Sequence, residues 1–376
     1  MSAITDFTAG RILDGISTLW ASEASVQQIV APNHIITVDS VNRAGAIITD
    51  FVPMGDGSVT ALTANTGETA SGSQSVVPVS FTMAEYGKGS DAVKFPWKEF
   101  EVRNANPDAY VKLVEVMANK AISAGDLLGT AHVRDNIGGG TNAAYVHPLG
   151  PDDTGAGVMG FSSPTASKLV RYGTASTTRA NRAAIQISDL ATWDWVSSAV
   201  GVLGDRKVRP LAIINGRKIF GVIAHRHLLK DLLKSLTSTS VYDNLLSQAD
   251  VARNLASFGL ASGLNGLYDG VLLIESSRMK YAAAGFSGID VYPMAVVGGD
   301  FLAKAALAPG AMPRVDGNGE VIQVGDGCCV IAQQDFGQIH GTRMGIMGWY
   351  GYLGHGVLDP YSCIRIECAS TSAGRI

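Results

Sequence analysis

Apolar positions recur at helical spacing over residues 104–130, NANPDAYVKLVEVMANKAISAGDLLGT, and this pattern predicts one long amphipathic helix. Tyr110, Leu113 or Val114, Met117 and Ala121 form its apolar stripe, while Lys112, Glu115, Asn119 and Lys120 lie largely off it. Asn106 suits the N-cap, because its side-chain oxygen accepts from the free N–H groups of the first turn. Pro107 fits the first helical position, where a missing N–H costs nothing, and Asp108 complements the positive end of the dipole.

Upstream the period changes. Residues 1–20 place Ile12 or Leu13, Ile16 and Leu19 or Trp20 at helical spacing, a short helix that docks on its own core or on a neighbour. Residues 31–51 carry β-branched runs broken by Asn42 and Gly45, and residues 76–97 return as alternating strand. Between them, residues 54–75 are rich in Gly, Ser, Thr and Ala and cannot bury enough surface to form a core element. Two strand runs around a polar tip describe an extended β-hairpin arm leading into the long helix. The plainer reading is a surface loop acting as a lid.

Downstream, residues 135–163 are punctuated by Gly, Pro and Asp and read as loop. The triple glycine Gly138-Gly139-Gly140 opens no helix and precedes no Lys-Ser or Lys-Thr pair, so it is not a phosphate loop. Ser188 is placed to cap a second helix with Leu190, Trp193, Val196 or Ser197, Val200 and Leu203 on one stripe. Strands at 211–214 and 219–224 flank an Asn215-Gly216 turn, a strong hairpin signal. Helices are expected at 225–236 and 241–256, buried strands at 270–275 and 289–298, and a short helix at 301–307. A glycine-rich hairpin at 316–327 leads into CCVIA. Residues 361–368 alternate, with Ile364, Ile366 and Cys368 on one face and Arg365 and Glu367 on the other, which predicts a half-buried closing strand. There is no internal repeat. The fold class is α+β.

With 376 residues the chain can bury a sizeable core and hold two or three domains. Only 16% of residues are charged, against roughly 25% in a typical soluble domain, and 44 are glycine. Such a surface suits either coverage by other subunits or a well-buried α/β protein. A net charge of -4 argues against wrapping nucleic acid by neutralising phosphates. No secretory signal opens the chain, and no apolar run reaches membrane-spanning length. The 4 cysteines (Cys328, Cys329, Cys363 and Cys368) form no CxxC pair and are expected to be buried as small apolar groups in a reducing cytoplasm.

The sharpest chemical candidate is His225-Arg226-His227 at a strand–helix junction, with Asp231 on the helix beyond. Two histidines and a carboxylate are a common metal set, but no HExxH or third spaced ligand follows. A histidine near a helix start more often caps or hydrogen-bonds locally. Gly285-Phe286-Ser287-Gly288 lacks the spacing of a nucleophile elbow, so no strained serine nucleophile is indicated. Gly348, Gly351, Gly354 and Gly356 surround Trp349, Tyr350, Tyr352 and His355, either a stacking site or, more often, tight turns and close backbone approach at an interface. Cys328-Cys329 has no basic neighbour to activate it. No catalytic, cofactor or metal residues are assigned.

In order along the chain, several short motifs resemble those of tailed-bacteriophage major capsid proteins with the Hong-Kong-97-type fold. Ala84-Glu85-Tyr86-Gly87 resembles a step that ends the arm before the long helix, followed by Asn106-Pro107 and Ala124-Gly125-Asp126-Leu127-Leu128. Val222-Ile223-Ala224-His225 leads to Asp231-Leu232, with Arg226 standing where that branch has proline. Gly266-Leu267-Tyr268-Asp269-Gly270-Val271-Leu272-Leu273-Ile274-Glu275 resembles a characteristic strand, and Asp335-Phe336-Gly337 through Gly348-Trp349-Tyr350-Gly351 its aromatic, glycine-rich stretch.

The resemblance implies an N-arm at 1–32, an extended β-hairpin E-loop at 33–98, a peripheral domain with the spine helix at 99–187, an axial domain at 188–334 and a return to the peripheral domain at 335–376. It implies a non-enzymatic shell protein that assembles with itself as hexamers and pentamers around double-stranded DNA, in a virion built in the host cytoplasm. Portal, and scaffolding or cement proteins, would be its other partners, with no membrane and no cofactor. Asn65, Thr66, Gly67 and Glu68 at the E-loop tip are the expected inter-subunit contacts. No long charged segment precedes the N-arm, so scaffolding is expected from a separate protein. The alternatives are an encapsulin-like cargo shell, or a cytosolic enzyme using His225, His227 and Asp231.

Overall fold

The computed structural model describes residues 35–38, 47–53, 76–87, 93–96, 107–134, 170–174, 179–205, 208–214, 216–235, 264–299, 301–307, 320–325, 327–335, 344–357 and 362–371. The helices expected at 1–20 and 241–256, the arm tip at 54–75 and the loop at 135–163 lie outside them.

The first strand, β1 (Ile35–Val38), is followed by the arm itself. β2 (Ile47–Pro53) and β3 (Val76–Thr82) pair antiparallel, Ile47 opposite Thr82 and Pro53 opposite Val76, as their β-branched sequences favour. β4 (Ala84–Tyr86) and β5 (Val93–Pro96) then lead to α1 (Pro107–Arg134), which begins at the expected proline and runs past the expected end at Thr130. Val114, Met117 and Ala121 are buried as the pattern predicts, and Lys112, Asn119 and Lys120 are exposed.

β6 (Val170–Tyr172), α2 (Trp193–Asp205), β7 (Ala212–Ile214), β8 (Arg217–Ala224), α3 (Arg226–Ser235), β9 (Leu264–Tyr268), β10 (Val271–Glu275) and β11 (Tyr292–Val297) follow. The chain continues through β12 (Leu302–Leu307), β13 (Glu320–Gly325), β14 (Cys328–Asp335) and β15 (Met344–Val357), and closes with β16 (Cys363–Cys368). Two mixed sheets result. The first has the order β1-β12-β15-β14-β13, with β4 and β5 also on β15; the second has the order β6-β16-β11-β8-β10-β9, with β7 on β8.

α1 packs on the first sheet. Val111, Val114, Met117, Ala118, Ala121 and Ile122 share one apolar cluster with Ala306, Val324, Cys328, Val330, Met347, Trp349 and Leu353. The second sheet is covered on both faces, so its strands read as near-continuous apolar runs. Phe220 and Val222 of β8 join one cluster with α2 and α3, whereas Ile219 and Ile223 join another with Leu211, Met279 and Phe301.

Four expectations are corrected. Residues 302–307 are a strand, not a helix: LAKAAL favours helix locally but is too short to hold one, and pairing with β1 and β15 on its two edges overrides propensity. Ser188 caps nothing in α2, which starts at Trp193. The first-turn N–H of Trp193 donates instead to Ser235 Oγ (3.0 Å), at the end of α3. The glycine–aromatic stretch is no set of tight turns but the long central strand β15. The closing strand is buried on both faces, Arg365 and Glu367 included.

Candidate functional site

β8 ends at Ala224 and α3 begins at Arg226, so His225 sits at the N-cap. Its carbonyl accepts from the N–H groups of Leu228 (2.9 Å) and Leu229 (3.1 Å), and its Nδ1 accepts from His227 N–H at 3.2 Å. The imidazole therefore takes the acceptor role a Ser or Asp side chain usually fills. The His225 and His227 ring centroids are 4.8 Å apart, and Tyr292 lies 5.0 Å from the first and 5.8 Å from the second. Lys280 and Asp290 pair at 2.7 Å beside them. Burial, helped by the charges of His227 and Lys280, pushes His225 down to about 4 against the weaker pull of Glu275 and Asp290.

That depression sets a pH dependence. The unfolded chain binds the proton at about 6.5 and the folded chain only at about 4, so the unfolded state gains protons first as pH falls. The stability contribution is expected to be full above pH 6.5 and lost progressively between about 6.5 and 4. His225→Asn keeps an N-cap acceptor without titrating, and should flatten this part of a melting-temperature profile. A profile as steep as the parent's would assign the loss to another group.

Asp231 does not join the histidines. It is buried on α3 and accepts from Ser370 Oγ (2.7 Å), Thr371 N–H (2.9 Å) and Thr371 Oγ1, tying the chain after β16 to the helix. The two histidines come together, but the carboxylate serves a structural clasp. Among the described residues no group of three or more His, Cys, Asp or Glu is placed to hold a metal ion. Asp231→Ala strips three hydrogen bonds from a charged acceptor and is expected to cost about 2–3 kcal/mol, read as a lower denaturant midpoint.

All four thiols are buried as expected, and burial alone pushes Cys329 up to about 11, which disfavours the reactive thiolate. Ser287 lies in no nucleophile elbow. It holds a left-handed backbone (φ 57°) in the turn Phe286–Gly288 and is exposed. Large apolar side chains reach solvent at Val116 (51%) and Leu127 (50%), three turns apart on one face of α1, and at Ile187, Ile213 and Phe286. The tip residues Asn65, Thr66, Gly67 and Glu68 lie outside the described residues.

The residues that pattern reading missed are charged and buried. Asp126 of α1 is fully buried and accepts from Arg278 Nη1 at 2.5 Å, while Arg278 Nη2 donates to Ser123 Oγ at 2.6 Å. Arg134 Nη1 donates to the Arg278 carbonyl (3.1 Å). The Arg134 carbonyl, last in the helix, accepts from Tyr281 Oη (2.6 Å) and from Arg365 Nη1. Glu367, also fully buried, accepts from Arg182 Nε (2.6 Å) and Nη2 (2.8 Å), and the Arg182 guanidinium lies 3.4 Å over the Tyr281 ring. One signal was available: Asp126 lies four residues after Ile122 on the apolar stripe, where a carboxylate needs a buried cation.

No protein-family model matches the sequence, and no curated protein does. Among solved structures, the chain is similar to the capsid subunit of cyanophage Pam1, at 15% identity with 92% of each chain covered and a TM-score of 0.53. It is similar also to the capsid protein of Ralstonia phage GP4, at 12% identity over 91% of this chain and 90% of that one, with a TM-score of 0.55. The SrpI encapsulin of Synechococcus elongatus scores 0.45 at 10% identity, covering 90% and 86% of the two chains, too low to carry weight. The fold is that of the Hong-Kong-97-type phage capsid proteins.

Proposed function

We propose that the chain is the major capsid protein of a tailed phage, closing as hexamers and pentamers into an icosahedral shell around packaged double-stranded DNA. The observation that carries this reading is a fold shared over about nine-tenths of both chains with two phage capsid subunits. We assign the first sheet with α1 to the peripheral unit, the second sheet to the axial unit and the β2–β3 hairpin to the base of the E-loop, which moves β12, β13 and β14 out of the expected axial span 188–334 and β16 out of the expected peripheral return 335–376. The role is structural rather than catalytic.

The surface suits that role. A low charge density and the apolar side chains Val116 and Leu127 on the outer face of α1 favour coverage by neighbouring subunits. We assign inter-subunit contacts of the arm to Asn65, Thr66, Gly67 and Glu68. A net charge of -4 fits a wall that encloses DNA without binding its sequence. Portal, and scaffolding or cement proteins, complete the head in the host cytoplasm.

Light scattering and negative-stain microscopy of the purified protein test the reading. Rings of five or six subunits, or closed shells, are expected. A clean monomer or dimer, even with a scaffolding candidate added, would overturn it. Shells that enclose a protein cargo in place of DNA would move the function to a cargo compartment.

A further inference from the structure

Each sheet has its own apolar core. The buried apolar side chains of α1 cluster with β12, β13, β14 and β15, and none of those described belongs to the two clusters of the second sheet. Leu302, where the chain passes from β11 to β12, packs with the second sheet instead. Between α1 and the elements of the second sheet, polar contacts gather at the helix's C-terminal end. Arg278 holds Asp126 and Ser123 in the helix's last three turns, and Arg365 and Tyr281 close on the terminal carbonyl of Arg134. Arg182 carries the network on to Glu367 of β16 and stacks on Tyr281.

Chemistry of this kind fixes an angle in a way that apolar packing does not. Hydrophobic burial is non-directional and lets surfaces slide, whereas hydrogen bonds weaken steeply as they bend. A guanidinium on a buried carboxylate is more demanding still, because separating the two leaves a desolvated charge unpaired. The Arg365 guanidinium, on the terminal carbonyl of Arg134, also complements the negative end of the helix dipole.

We propose that the Arg278–Asp126–Arg134–Tyr281–Arg365 network is a conformational lock that sets the angle between the spine helix and the second sheet. Arg278 is its central positioning residue. Loosening it frees the two sheet units to rock about the end of α1 while each keeps its own core. Its consequence for shells rests on the capsid reading: a subunit with a loosened angle loses its single curvature.

Two exposed positions, Val116→Cys on α1 and Lys218→Cys on β8, carry spin labels for a pulsed dipolar distance measurement, the four native thiols being buried. Labelled chain is diluted with unlabelled chain so that only distances within one chain are read. Arg278→Ala is expected to broaden the distance distribution about two-fold, with Arg278→Lys in between because one ammonium cannot span Asp126 and Ser123. A folded Arg278→Ala chain with unchanged width would overturn the lock; should that variant not fold, an unchanged width for Arg278→Lys does so. Particle diameters give the second readout. Uniform parent shells and mixed variant shells are expected, and uniform variant shells would remove the curvature role. A parent chain that forms no shell would defeat the capsid reading alone, leaving the lock to the distance measurement.

Discussion

Gly87→Ala is expected to destabilise the chain by about 3–5 kcal/mol, the sum of a left-handed backbone penalty and overpacking. Gly87 follows β4 with φ at +82°, a conformation that an L side chain adopts only under strain. An added Cβ would also stand 2.5 Å and 2.6 Å from two atoms of the Trp349 indole and 2.6 Å from the Trp349 carbonyl. The indole cannot retreat freely, because its other side belongs to the cluster under α1. The Trp349 backbone is fixed by the pairing of β15 with β14, where it lies opposite Val330. A soluble Gly87→Ala chain with a denaturant midpoint near the parent's would mean that Trp349 has another rotamer open to it. Gly351→Ala is milder, since its close neighbours are side chains, Cys328 Sγ at 2.9 Å and Trp349 at 3.2 Å.

The Tyr86-Gly87 step that resembles a family motif thus has a local physical cause: the strand must turn where an indole already lies. The sequence shows the glycine but not the indole, which is far along the chain. β15 was misread for the same reason. Its glycines look like turn signals, yet Gly351 makes room for a neighbour that packs against the strand. The long helix was legible because its apolar period repeats through many turns, each confirming the last. The hairpin at Asn215-Gly216 was legible because the turn needs positive φ, seen at Gly216 (78°). The Asp269-Gly270 turn, with φ at 48° and 77°, carries the same kind of signal but was not among the expectations. What could not be read was pairing across the chain. Arg278 meets Asp126 from 152 residues away, and Arg182 meets Glu367 from 185, so no local window contains both partners.

Glu367 shows how much such a hidden pair controls. Alternation in the closing strand suggested a solvent-facing glutamate, but this carboxylate is fully buried between two guanidinium groups. Arg182 binds it through both oxygens, and Arg365 Nε lies 3.0 Å from Oε1, close in distance though not aligned as a hydrogen bond. Glu367→Gln keeps the shape and removes the charge. It leaves Arg365, whose side chain is 7% exposed, as a buried cation without a carboxylate, at an expected cost of about 3–5 kcal/mol. Arg182 contributes less to that figure, because its side chain is 31% exposed and water can solvate it once released. A double-mutant cycle separates the two. Arg182→Ala and Glu367→Gln should couple by about 1–3 kcal/mol, as contacting residues do. Arg365→Met made on top of Glu367→Gln should recover part of the loss, since replacing the stranded cation removes its desolvation cost. No recovery in the second experiment would mean that Arg365 is neutralised elsewhere, through its bond to the end of α1, and that Glu367 acts on Arg182 alone.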